Sequence, residues 1–174
     1  MSNKEFVWDE YFWVLNADLP SWSRLEDGNS VEIRFSVDKD GEDPPPMSAA
    51  DKQLVQWVVE HESEILASVL SGVLKQYPEI REEFSDFYEE DEVDEFVPEV
   101  SNVDELVKLL SCPSINVHSI PTPESPYFGV QLNCSWDDEH GVGVLLRGTE
   151  VLEVGGADTA ILLWLAEKYA KQAG

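Results

Sequence analysis

Basic residues are scarce in this chain. Its 174 residues include 11 lysines and arginines against 36 aspartates and glutamates, giving a net charge of -25 and a pI near 4.1. A field of that sign repels phosphate backbones and anionic lipid headgroups and attracts cations. Nucleic acid and membrane are therefore not expected as partners, and the surplus of acid fits either plain solubility or a basic protein partner. Cysteine is nearly absent as well. Cys112 and Cys134 are too few for a disulfide framework, so reduced thiols in the cytoplasm are expected. The start, Met1-Ser-Asn-Lys-Glu5, leads into an aromatic run broken by Asp9 and Glu10, without the basic and small-residue marks of a signal peptide. No stretch approaches the roughly 20 apolar residues of a spanning helix. Repeats and domain-splitting linkers are missing too. What remains is a chain with six Trp, seven Phe and five Tyr, long enough for one sizeable core.

The patterning predicts an α+β fold in a single domain over residues 1–174, a mainly antiparallel sheet packed by a long central helix and a C-terminal helix. Phe6 to Leu15 is β-branched and aromatic, and Val31-Glu-Ile-Arg-Phe-Ser-Val37 alternates perfectly, so both read as strands. Asp38 to Met47, with Asp-Gly and three prolines, reads as a loop. Ser48-Ala-Ala-Asp51 resembles a capping box opening a helix to Tyr77, stopped by Pro78. That helix carries Leu54, Val58, His61, Ile65 and Val69 on one row, and His61 reads as a packed boundary residue. A short second helix is expected from Ile80 to Tyr88, and a further one after a Ser101-Asn-Val-Asp104 capping box, closed by Pro113. Strands are expected at Ile115 to Ile120, Phe128 to Cys134, Val142 to Leu146 and Val151 to Val154. A tight turn at Arg147-Gly148-Thr149 joins the last two. Asp158 or Thr159 should cap a final helix, Ala160 to Lys171, apolar nearly all round and deeply packed.

Two stretches stand out chemically. From Glu79 to Glu105 there are thirteen acids and one base, Arg81, and the run Glu89, Glu90, Asp91, Glu92, Asp94, Glu95 is the densest part. Mutual repulsion predicts an exposed acidic loop over about 89–100, and the run lacks the spacing of a calcium loop. It reads as solvated surface or as a docking patch for a basic protein. The second stretch is Cys134-Ser-Trp-Asp-Asp-Glu-His-Gly141. Cys134, Asp137, Glu139 and His140 are competent metal ligands, yet their spacing fits no standard zinc site. His140 beside a carboxylate could do acid–base work, but no nucleophile sits in a recognisable context. Gly141-Val-Gly143 lacks the third glycine and following helix of a dinucleotide fingerprint.

The segment Cys134-x-Trp136-Asp137-x-Glu139-His140-Gly141-x-Gly143-Val144, followed by Val151-x-Glu153-Val154-Gly155-x-Ala157-Asp158, resembles the C-terminal signature of a family of bacterial proteins of unknown function. The resemblance covers roughly 45–174 and is strongest over 128–160. It implies a small α+β domain, with a long helix after the first strands and a short sheet ending in the signature. It carries no established catalytic residues, and it implies kinship with accessory and immunity-type proteins found beside bacterial toxins. The acidic run at 89–95 reads as particular to this chain.

Charge and resemblance together predict a non-enzymatic acidic interaction protein without a cofactor, an immunity-type inhibitor of a basic effector. The expected contacts are the six acids of 89–95 with Asp137, Glu139 and His140, anchored by Trp136. The alternative is a small metal-binding protein or hydrolase using Asp137, Glu139 and His140.

Overall fold

The computed structural model describes residues 5–36, 46–122 and 124–173. Its centre is a seven-stranded sheet whose spatial order follows the chain: β1 (Val7–Asp9), β2 (Phe12–Ala17), β3 (Val31–Ser36), β4 (Leu110–Val117), β5 (Tyr127–Cys134), β6 (Asp137–Arg147) and β7 (Glu150–Gly156). Every adjacent pair is antiparallel except β3 and β4, which run parallel with Ile33 opposite Ile115. A parallel pair needs a crossover. Here the crossover carries α1 (Ala49–Glu60), α2 (Glu62–Ser85), α3 (Glu90–Phe96) and α4 (Val103–Val107). The expected α+β single domain is thus the observed one. The Asp38–Met47 loop and the last residue of the 31–37 strand fall mostly outside the described residues.

Strand alternation puts Val31, Ile33, Phe35, Ile115, Val117, Phe128, Val130, Val144 and Leu146 on the helix-covered face, all buried. Leu54, Val55 and Val58 of α1 and Ile65, Leu66, Val69, Leu70 and Val73 of α2 meet them. Ser48 caps α1 in the predicted capping box, its hydroxyl accepting from the Asp51 amide at 3.0 Å while Asp51 accepts from the Ser48 amide at 2.9 Å. The helix breaks once, at His61, whose ring stacks on Trp57 at 3.9 Å. A 3-10 turn, Pro20–Arg24, is pinned to the start of α2: Ser21 donates twice to the Glu62 carboxylate and the Trp22 indole donates to the Glu62 carbonyl.

Several expectations need correction. Pro78 does not stop the helix; it lies inside α2, which absorbs the separate helix expected at 80–88. An interior proline costs about 3 kcal/mol through its missing hydrogen bond, and burial of Tyr77 and Ile80 on either side offsets that cost. The acidic run is not a loop but helix α3, with Glu90, Asp91 and Glu92 in its first turn, where the helix dipole favours anions. The cap of α4 is Asn102, one residue later than expected. Its side chain accepts from the Glu105 amide, and the longer Glu105 side chain reaches back to the Ser101 amide. Pro113 lies in β4, at a bulge where Cys112 adopts a φ of 49°.

The C-terminal helix also differs. It is two pieces, α5 (Asp158–Ile161) and α6 (Leu163–Ala173), and the residue before α5 is Ala157, so neither Asp158 nor Thr159 caps it. Nor is it deeply packed all round. Leu165 and Ala166 are buried against Ile120, Tyr127 and Leu145, while Ile161, Leu163 and Trp164 are exposed. Its seat on the second face of the sheet is made by small residues. A Cβ on Gly129 would stand 2.0 Å from the Ala160 carbonyl oxygen, so α5 lies directly on β5.

Candidate functional site

The signature segment folds as a hairpin with a distorted root. Cys134 pairs with Asp137 across the two-residue turn Ser135-Trp136, and regular pairing resumes only at Leu132 and Val142. Asp138, Glu139, His140 and Gly141 therefore bulge opposite the single residue Asn133. Gly141 closes the bulge with a φ of 77°, which a side chain would strain. The Asp137 carboxylate organises the bulge, accepting from the His140 amide at 3.2 Å and contacting its Nδ1 at 3.0 Å. That contact raises the His140 pKa above its ordinary value, although the ring is solvent-exposed.

Trp136 departs from its expected role. It turns inward, only 2% exposed, with its ring 5.5 Å from Tyr77 in an edge contact and its carbonyl accepting from the Tyr88 hydroxyl at 2.7 Å. An aromatic so enclosed cannot anchor a partner at the surface. Cys134 is core as well. Burial pushes its thiol up to about 12, and its Sγ donates to the Asp137 carbonyl at 3.6 Å. It is neither an ionised nucleophile nor a ligand facing His140. Among the described residues, no three His, Cys, Asp or Glu side chains converge as a metal site would require.

The second cluster is the acidic corner. No α3 residue is buried, so Glu89, Glu90, Asp91, Glu92, Asp94 and Glu95 all retain contact with solvent. The backbone around them is held firmly nonetheless. Phe96 stacks on Tyr88 at 5.3 Å, Ser135 donates to the Phe96 carbonyl at 2.7 Å, and Arg81 donates to the Val97 carbonyl at 3.0 Å. Tyr77 donates to the Pro98 carbonyl at 2.7 Å. In the corner between α2 and α3 stands Phe87, 76% exposed among Asp86, Glu89 and Glu90.

A cleft lies beside the hairpin. It lies between the C-terminal half of α2 and the β6–β7 ribbon, with a volume of about 290 Å3. Glu79, Glu83 and Asp137 line it. The helix expected to end at Pro78 hid Glu79 and Glu83 from the sequence reading. The signal was there: Tyr77, Ile80 and Phe84 continue the apolar row of α2 past the proline.

The model of a family described as a domain of unknown function, DUF6985, matches residues 4–162. The chain belongs to that family. The DUF6985 match takes in the N-terminal strands, which the resemblance over 45–174 left out, and it stops before α6. The whole sheet, the bulged hairpin and the cleft belong to the DUF6985 domain. Comparison with curated proteins and with solved structures gave no match. No helix among the described residues is long and apolar enough to cross a membrane.

Proposed function

We propose that this chain is a non-enzymatic interaction protein that binds a basic protein, acting as an immunity-type inhibitor of a basic effector. One observation carries the reading: the carboxylates of α2 and α3 form a solvent-facing corner on a backbone fixed by packing, with the exposed Phe87 among them. A fixed acidic surface spends little ordering entropy on association, and its field raises the encounter rate with a cationic partner by roughly 10–10³-fold at low salt. The raised Cys134 pKa weighs against covalent chemistry at the hairpin root.

The test is affinity capture from the native host with the full chain, at low and moderate salt. The matched control replaces Glu89, Glu90, Asp91, Glu92, Asp94 and Glu95 by Gln and Asn. A basic protein should be held by the parent and lost by the variant, and co-expression should relieve any toxicity of that protein. Recovery of no basic protein, or equal recovery by both chains, overturns the reading.

The contact between His140 and Asp137 favours one alternative, a hydrolase or metal-binding protein working through this pair with Glu139. It requires that His140→Ala abolish activity, and that protein purified without chelator carry stoichiometric metal if the pair serves as ligands. A metal-free protein whose His140→Ala variant keeps every phenotype ends it.

A further inference from the structure

We infer that the cleft between α2 and the β6–β7 ribbon receives a single arginine or lysine side chain of a protein partner. The inference rests on the basic-partner reading and gives it a point of contact. At about 290 Å3 the cleft lies at the lower edge of the roughly 300–1,000 Å3 usual for small-molecule sites, room enough for one long side chain. Its apolar lining residues are Ile80 and Phe84 of α2 and Val142 and Val154 of the sheet, buried or half-buried in each case. Its acidic lining residues are Glu79 and Glu83, exposed and one helical turn apart on α2, and on the sheet side Asp137, whose carboxylate also holds His140. No lysine or arginine is among its lining residues.

Apolar surface beside carboxylates is the complement of a cation on a hydrocarbon stem, and Phe84 adds an aromatic ring for the charged head. The walls are fixed before binding, because Trp136 is packed on Tyr77 and its carbonyl is held by Tyr88. At the mouth, a Cβ placed on Gly156 would meet nothing within 4 Å, so the room there is open. The acidic corner continues from the cleft along α2 through Glu82 and Asp86, which would lead a cation toward it.

The test is an NMR titration of the 15N-labelled full chain with N-acetyl-arginine amide and N-acetyl-lysine amide. N-acetyl-norleucine amide serves as the uncharged control. Saturable shifts are expected at the amides of Gly141, Val142, Gly155 and Gly156 and at the Trp136 indole. Two variants sharpen the result. Gly156→Phe fills the mouth without changing charge and should abolish saturation. Glu79→Gln with Glu83→Gln lies on the solvent side of α2, leaves the core intact and should weaken binding about five-fold or more. Shifts confined to α3 overturn the cleft while leaving the basic-partner reading to its own capture test. Shifts in the cleft that survive Gly156→Phe, or no shifts in the cleft at all, overturn the cleft as well.

Discussion

Phe128 and Gly129 are consecutive residues of β5, and the two faces of the sheet treat them oppositely. Phe128 is fully buried under the helical layer, filling space beside Val117 and Leu146. Gly129 points the other way, onto Ala160 of α5, where even one methyl group would collide with backbone. The first face is filled by side-chain volume; on the second, α5 sits where side chains are omitted and backbone meets backbone, while α6 packs Leu165 and Ala166 on Ile120, Tyr127 and Leu145. Gly143 belongs to the second arrangement, since a Cβ there would fall 2.4 Å from the Gly156 carbonyl oxygen in the chain leading into α5, and a Cβ on Gly155 would meet the Thr159 hydroxyl of α5 at 2.5 Å. Gly143 and Gly155 of the signature thus serve the seat of α5. The chemically open part of the molecule is elsewhere, along α2 and α3.

The largest effect should come from emptying the filled face. Phe128→Ala should cost about 3–5 kcal/mol in urea unfolding, as expected for loss of a buried aromatic with its cavity. Filling the vacant face comes next. Gly129→Ala should cost about 1–3 kcal/mol, and hydrogen exchange at the Ala160 and Leu162 amides should quicken while the amides of α2 stay protected. Equal quickening in both places would mean the two faces do not act separately.

His118 and His140 repeat the contrast on a smaller scale. His118 is buried, its Nε2 within 3.1 Å of the Ala160 carbonyl, and burial pulls its pKa down to about 4. Between its ordinary value near 6.5 and about 4, the unfolded chain takes up the proton and the folded chain does not. This residue's contribution is therefore intact above about pH 6.5 and declines as the pH falls toward 4. A His118→Asn variant should lose less stability over that window than the parent, measured as urea midpoints against pH. His140 should behave in the reverse sense, because its Asp137 contact raises its pKa. Any contribution is present below about pH 6.5 and fades as the pH rises through the folded-state value. Its NMR titration should therefore lie above that of a free histidine, and Asp137→Asn should bring it back down. This is the smallest effect, since the ring is exposed.

The sequence made the sheet legible wherever one face was buried, because alternation at 31–37 and 128–134 records that burial directly. It made the capping box at Ser48 legible because the pattern is local. Pro78 misled because a proline's local cost was weighed without the tertiary packing of Tyr77 and Ile80. The run at 89–95 misled for a related reason. Repulsion between carboxylates is visible in the sequence, whereas the anchors that hold α3 are Tyr88, Ser135 and Arg81, all of them outside the run. Trp136 looked exposed because its neighbours are charged, yet a two-residue turn sends it inward. The cleft was not readable at all, since its two walls come from segments about 60 residues apart in the chain.

The single parallel pairing in the sheet has a consequence for how the molecule forms. β1 to β3 make one antiparallel meander and β4 to β7 another, and each contains a tight turn from which pairing can start, Glu10-Tyr11 in the first and Ser135-Trp136 and Gly148-Thr149 in the second. The seam between β3 and β4 closes only after the entire helical crossover has been synthesised and has compacted, so it is the slow, high-contact-order step. During that interval the edge of β3 stands unpaired, and a nascent chain on the ribosome is most open to mispairing there.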